Sequence, residues 1–503
     1  MNLRAVAERR YVGSALAFVA GVLFSFSFAP LQIWPLAILM PALLIALWDG
    51  AAPKRAGWLG FWFNAGTFSV GTYWLYISLQ INGGAPVVLA LFLMAALVAI
   101  MSLYHFLLGW LVAKFLPARG ALRWMVAIPG AWLLIEWWRS WFLSGFGWLA
   151  VGYSQTDTWL GHLAPVAGQF GIALVALVMS GGLATLLLGA RRERIVAAGT
   201  IVVLWAGAFA LGRIEWTQPF GRPIKVAVVQ GAFTPDEKWL EENLQATLDL
   251  YADKTREAAG SDLIVWPEAA VPALFNELTP YFDRVYTDAR AHGGSLITGV
   301  LRQDGNDFYN SVLALDANGN GLSWHDKHHL VPFTEFFPVP QFVRDWLRLM
   351  NLPYADFRHG AADQEPLVAS GQRIAATVCY EDAYGSSQLH ELDTATLLVN
   401  VTNDAWFGKS SARYQHLQIS RLRAMEAERP MVRAANDGVS GAIDEHGHIL
   451  VTAPEYEANV MRATVQPRTG LTPYAHVGNW PGVCLALVFA LSGAYVRRRG
   501  MSR

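Results

Sequence analysis

Long uncharged apolar runs fill the first two fifths of this chain and return near residue 481, and roughly 20 apolar residues are what a helix needs to cross hydrocarbon. Such runs lie near 11–28, 31–48, 57–79, 86–113, 122–143, 162–189, 194–213 and 481–496. They predict a polytopic α-helical membrane domain of about eight transmembrane helices. Composition agrees, since a soluble protein is seldom 54% hydrophobic and 15% charged with 21 tryptophans in 503 residues. No small-residue cleavage site follows the first run and further spans come directly after it, which argues against a signal peptide.

Basic residues alternate between loops. Arg4, Arg9 and Arg10 precede the first run, Lys54 and Arg55 follow the second, Lys114, Arg119 and Arg123 follow the fourth, and Arg191, Arg192 and Arg194 follow the sixth. Arg497, Arg498, Arg499 and Arg503 come after the last run, whereas 29–30, 80–85 and 144–161 contain no Lys or Arg. By the positive-inside rule both termini are expected to be cytoplasmic, with the polar middle of the chain on the opposite, extracytoplasmic face of a bacterial inner membrane. Within the fifth run, Glu136 and Arg139 would each cost about 2.5–3.5 kcal/mol if unpaired at the bilayer centre, so they are expected to pair one turn apart. Trp148, Tyr153 and Trp159 are expected to form an interfacial belt. The net charge of -1 and the absence of a broad basic face exclude nucleic acid as an expected partner.

From Ile224 the pattern changes to short β-branched runs separated by polar helical stretches. IKVAVVQ (224–230), DLIVW (262–266), SLITGV (295–300), YNSVLAL (309–315), RIAATVCY (373–380) and TLLVNV (396–401) read as strands, and 236–259 and 413–428 as helices. Strands alternating with helices and hairpins predict a layered α/β domain over 222–466. The expected organisation is therefore an N-terminal membrane domain over 1–221 with about seven helices, the extracytoplasmic α/β domain, and a return segment with a last membrane helix over 467–503.

Three reactive side chains fall at strand ends. Glu268 follows DLIVW in the sequence WPE, Lys327 lies in HDKHHLVPFTE after a strand bearing Trp324, and Cys379 closes RIAATVC. A carboxylate beside a thiol can take its proton, and an ammonium nearby lowers a thiol pKa and stabilises an oxyanion. The other cysteine, Cys484, lies in the last apolar run and reads as a small buried residue, so no disulfide is expected. His325, His328 and His329 lack the spacing of a metal site, and neither a metal nor another cofactor is expected.

Glu, Lys and Cys in this order and with these neighbours resemble the carbon–nitrogen hydrolase (nitrilase) superfamily, which implies an αββα sandwich. A closer resemblance, running nearly the whole chain, is to the apolipoprotein N-acyltransferase family. It rests on GWLAVGYSQ (147–155), WPEAAVP (266–272), KHHLVPFTEFFP (327–338), CYED (379–382), NDAWFG (403–408) and TGLTPYAHVGNWP (469–481). Thr334 stands where that family commonly has Gly, so the turn there is expected to differ locally. The resemblance implies Glu268 as general base, Lys327 as stabiliser of the tetrahedral intermediate and Cys379 as nucleophile. It further implies that Glu335, Tyr380 and Glu381 support them, and that Trp239, Trp406 and Phe407 contact substrate.

The activity so implied is transfer of a fatty acyl group from phospholipid, through a Cys379 thioester, to the N-terminal amine of an S-diacylglyceryl-cysteine lipoprotein. The catalytic set alone leaves open a membrane-tethered amidase that discharges to water, or a lipid- or lipoprotein-binding scaffold. Residues 333–358 form an apolar and aromatic segment in an otherwise polar domain, including Phe342 and Trp346. It reads either as a lipid-facing lid or as an amphipathic helix packed on the sheet.

Overall fold

The structure, a computed structural model, describes residues 3–319, 321–332, 334–336 and 357–501. Most of the expected lid, Phe342 and Trp346 included, lies outside the described residues. The chain divides into two compact units, one of Met1–Glu215, Lys409–Gln418 and Val477–Arg503, the other of Trp216–Gly408 and Ile419–His476.

The first unit is helical, with several apolar helices. Among the described residues four are long and apolar enough to cross a membrane: Val87–Phe115, Trp159–Leu188, Arg191–Leu211 and Trp480–Arg499. The expected count of about eight is not confirmed, since the remaining runs form shorter, interrupted or, in Pro53–Gly71, less apolar helices. Arg10–Ser25 and Leu36–Leu47 are apolar but short. The 122–143 run divides into a wide π-helical turn, Leu122–Ala127, and the helix Ile128–Arg139.

Helices here approach closely where a side chain is missing. A Cβ on Gly66 would lie 2.1 Å from the Phe18 carbonyl oxygen, so helix Pro53–Gly71 can meet helix Arg10–Ser25 backbone to backbone. Backbone groups hold both charges of the fifth run, and Arg139 also acts electrostatically on Glu136. Arg139 donates to the carbonyls of Phe146 and Trp148 at 2.7 and 2.8 Å, and Glu136 accepts from the Val151 amide at 3.2 Å. Trp148 and Tyr153 are buried, which corrects the interfacial-belt expectation for both. Their loop folds inward, and the Trp148 indole donates to the Gln415 side chain at 2.6 Å.

The second unit is a sandwich of two six-stranded sheets. Its strands are β1 (Ile224–Gln230), β2 (Leu263–Val265), β3 (Ser295–Asp304), β4 (Asp307–Leu315), β5 (Leu322–Asp326), β6 (Leu367–Ala369), β7 (Gln372–Val378), β8 (Leu397–Thr402), β9 (Met431–Ala435), β10 (Gly441–Ile443), β11 (Ile449–Thr452) and β12 (Asn459–Val465). One sheet runs β12-β1-β2-β3-β4-β5 and the other β11-β10-β9-β8-β7-β6. Strands β1, β2 and β3 are parallel neighbours, as are β7, β8 and β9.

The period-2 alternation of each strand explains the layering. Ile224, Val226 and Val228 of β1 pack against Ile374, Ala376 and Val378 of β7 between the sheets. Ala227 and Val229 point the other way, onto Tyr251 and Phe282 of helices Leu244–Glu257 and Thr279–Ala291. The expected helix over 236–259 is broken into Pro235–Lys238 and Leu244–Glu257, and the interruption leaves Trp239 exposed.

The second sheet carries a buried ionic group. Arg433, in the middle of β9, donates to Asn400 at 2.6 Å, Ser420 at 2.8 Å and Asp404 at 2.8 Å, and lies 3.6 Å from Asp382. Removing one partner of such a pair strands the remaining charges away from water, which costs about 3–5 kcal/mol. Arg433→Met should therefore lower the thermal unfolding midpoint of the detergent-solubilised protein by several degrees. Leu450→Ala, at a half-exposed strand position, should stay within about 0.5 kcal/mol of the parent.

Candidate active site

The Trp-Pro-Glu turn leaves β2 and is pressed against β3. The Gly299 amide donates to the Pro267 carbonyl at 3.2 Å and the Ala270 amide to the Gly299 carbonyl at 3.0 Å. A Cβ at Gly299 would lie 2.5 Å from the Glu268 Cα, so only glycine lets the turn seat here. Ala269, directly after Glu268, has φ 41°, in the left-handed region.

Lys327 follows β5, and the antiparallel β4–β5 register, Ser311 opposite Asp326, brings it beside Asn310. The Lys327 amide donates to the Asn310 carbonyl at 2.8 Å. Its Nζ, almost fully buried, lies 3.4 Å from Glu268 Oε1, 3.0 Å from Glu335 Oε1 and 2.9 Å from Glu335 Oε2. The Asn310 Nδ2 donates to both carboxylates, at 2.8 Å each. Burial alone would lower the lysine pKa. Glu335 and then Glu268 outweigh it and hold the ammonium well above its ordinary value.

Glu335 is itself held by the Val331 amide, which donates to Oε2 at 2.7 Å. The Thr334 hydroxyl donates to the Val331 carbonyl at 3.2 Å.

Cys379 lies one residue past β7, not within the strand, and has φ 53°. A non-glycine residue there costs roughly 1–2 kcal/mol. The conformation is retained among well-anchored neighbours. Asn400 donates to the Cys379 carbonyl at 3.3 Å and is gripped in turn by Arg433. Burial and the charge of Glu268 push the thiol well above its usual pKa, while Lys327 opposes them. The resting group is therefore a thiol, and a base is required at the moment of attack.

Glu381 joins the two loops. Its Oε1 accepts from the amides of His328 and His329 at 2.7 and 3.0 Å, and its Oε2 from the amide of Val378 at 2.8 Å. Tyr380 is half-buried and meets Tyr384 edge-on at 5.4 Å, while Tyr384 stacks on His329 at 4.0 Å. Trp406 is exposed and Phe407 half-buried, in a turn rooted at Asp404. Trp239 is exposed beside Lys238, whose buried Nζ donates to the Glu268 carbonyl at 3.3 Å. Burial lowers the Lys238 pKa to about 8 against the attraction of Glu268.

Asn310, Asn400, Arg433 and Lys238 escape a reading of the sequence by motif. The available signals were polar side chains inside strands: the Asn of YNSVLAL, the Asn of TLLVNV and the Arg of MVRAA.

Two facing sheets with helices outside, and strand ends carrying a carboxylate, an ammonium and a thiol, define the carbon–nitrogen hydrolase class. The family model described as carbon-nitrogen hydrolase matches residues 225–474, and that of the apolipoprotein N-acyltransferase N-terminal domain matches 20–182. The chain is 40% identical over 479 residues to the apolipoprotein N-acyltransferase of Methylococcus capsulatus, covering 94% of each chain. It is 37% identical to that of Vibrio parahaemolyticus, over 95% of this chain and 96% of the relative, and 35% identical to that of Vibrio cholerae over 99% of both. The chain belongs to the apolipoprotein N-acyltransferase family and is an acyltransferase.

The raised thiol pKa has a direct chemical signature. Below its pKa a thiol's thiolate fraction grows tenfold per pH unit, whereas an unperturbed cysteine, near 8.5, is levelling off by pH 9. Alkylation of Cys379 by iodoacetamide without substrate should be slow at pH 7 and climb about tenfold per unit to pH 9 without a plateau. Peptide mass spectrometry separates this label from that on the exposed Cys484. A plateau below pH 9 would contradict the raised pKa.

Proposed function

We propose that this enzyme transfers a fatty acyl group from phospholipid to the α-amine of an S-diacylglyceryl-cysteine lipoprotein, with Cys379 as nucleophile, Glu268 as general base and Lys327 as oxyanion stabiliser. The observation that carries the assignment is the buried Lys327 ammonium held between Glu268 and Glu335, with Glu268 and Lys327 both acting electrostatically on the Cys379 thiol. Glu268 takes the thiol proton as Sγ attacks the ester carbonyl. The C–O bond to glycerol then breaks, the leaving oxygen takes that proton, and a lysophospholipid departs. The acyl group stays as a thioester. The acceptor amine attacks it, gives a proton to Glu268, and the C–S bond breaks to leave the amide and a thiolate that recovers the proton. An α-amine has a pKa of about 7.7–8.0, so a useful fraction is neutral near pH 7.

Glu335 keeps Lys327 paired between turnovers, and Glu381 with Tyr380 supports the two reacting loops. Trp239, Trp406 and Phe407 are assigned to substrate contact, supported by the exposure of both tryptophans. The lipoprotein acceptor is supported by the names of the relatives, and a lipid donor by the apolar helices.

The proposed setting is the bacterial inner membrane, crossed several times, with the catalytic domain over 222–466 on the extracytoplasmic face between the membrane segments 1–221 and 467–503. It is supported by the alternation of basic loops, Arg9 and Arg10, Lys54 and Arg55, Arg191 to Arg194 and Arg497 to Arg499 lying on the cytoplasmic side. Both substrates are lipid-anchored, so tethering confines the chemistry to the surface where they meet.

Intact-mass analysis after incubation with phospholipid vesicles tests the reaction. Wild type should gain one hydroxylamine-labile acyl group, Cys379→Ala none, and a diacylglyceryl-cysteine peptide should discharge the adduct as an amide. Loss of the adduct to water alone would make the enzyme a hydrolase, and no adduct would overturn the thioester. Lys327→Ala should slow adduct formation by about 10²–10³.

A further inference from the structure

Behind the two reacting loops lies a small polar cavity lined by His325, Glu381, Gln388, Glu391, His328 and His390. His325, Glu381, Gln388 and Glu391 are each at least nine-tenths buried. The His325 Nδ1, the Gln388 Nε2 and one Glu391 oxygen have no hydrogen-bond partner among the described residues. The His325 Nε2 lies 3.5 Å from Glu381 Oε2, a Coulombic contact longer than an ordinary hydrogen bond. That same Oε2 accepts from the Val378 amide at the end of β7, and Oε1 from the two amides after Lys327. A single carboxylate thus fixes the loop carrying Lys327 against the strand end carrying Cys379.

We propose that His325, as an imidazolium, is a positioning residue for acyl transfer: it holds Glu381 ionised and in place, and so sets Lys327 against Cys379. The inference rests on the thioester reading above. Three charged or titratable groups act on the ring, Glu381 and Glu391 across the cavity and Asp326 on its own strand, and His328 and His390 complete the lining. Burial alone would lower the His325 pKa, but Glu381, then Glu391 and Asp326, raise it above the ordinary value. Burial, opposed by three backbone amides and His325, leaves Glu381 at about 2. Burial, against the attraction of His325 and one backbone amide at Ala376, pushes Glu391 up to about 8. The acidic neighbours thus hold the His325 ring toward its charged form, beside a Glu381 carboxylate that is ionised at neutral pH. As pH rises through the folded His325 pKa the ring loses its charge and Glu381 loses its partner.

The rate of Cys379 acyl-enzyme formation from phospholipid vesicles, measured by intact mass in single turnovers, isolates this step from the acceptor amine. Wild type should show a falling alkaline limb. His325→Gln should form the adduct about ten- to hundredfold more slowly at pH 7, the worth of one charge-assisted contact, and lose that limb. His325→Lys, whose charge persists to higher pH, should recover most of the rate and move the limb upward. A wild-type profile without an alkaline limb overturns the proposal whatever the variants do. So does a His325→Gln enzyme with the wild-type rate, or a slower one whose limb has not moved. Absence of any adduct in wild type would instead refute the thioester reading.

Discussion

An ammonium taken out of water must be paired, and the catalytic unit is organised around one such group. Lys327 is almost fully buried with two carboxylates within 3.4 Å, and each of those must be held in turn. Asn310 ties them together, the Val331 amide anchors Glu335, and Gly299 allows the turn bearing Glu268 to reach the lysine. Loss of the lysine would leave two buried carboxylates facing each other, and loss of either carboxylate would leave a buried cation under-paired. The cluster is thus restrained from several directions before any substrate arrives, which is the preorganisation that electrostatic stabilisation of an oxyanion requires.

The thiol is governed by the same arrangement. With a left-handed backbone conformation it lies just past β7 and packs against the core between the sheets, and Asn400, held by Arg433, grips its carbonyl. Burial and the carboxylate of Glu268 keep it protonated at rest. A protonated thiol at rest limits side reactions, since a standing thiolate is open to oxidation.

The parts of this site legible in the sequence share one property: they are chemically distinctive residues at the ends of recognisable strands. Alternation places Glu268, Lys327 and Cys379 at strand ends and the family resemblance singles them out, while β1, β3, β4 and β8 lie close to where their periodicity puts them. Asn310, Arg433 and His325 were not assigned to the site, because their work is done across the fold. Asn310 lies 42 residues from Glu268 and Arg433 lies 33 from Asn400, and proximity at such separations depends on register and sheet order. The inward turn of Trp148 and Tyr153 was misread for a related reason. An aromatic residue beside an apolar run has the same local signature whether it faces lipid or a buried glutamine.

What the sequence determined by itself was the division of the chain into apolar helices and a layered α/β domain, and the placing of Glu268, Lys327 and Cys379 at strand ends, because hydrophobic period and side-chain chemistry are local properties. Tertiary structure alone decided which carboxylates flank the lysine, the charge state of the thiol, and the stapling of both reacting loops by Glu381. Those depend on burial and on distances of about 3 Å between residues far apart in the chain, which come into being only when the two sheets close on each other.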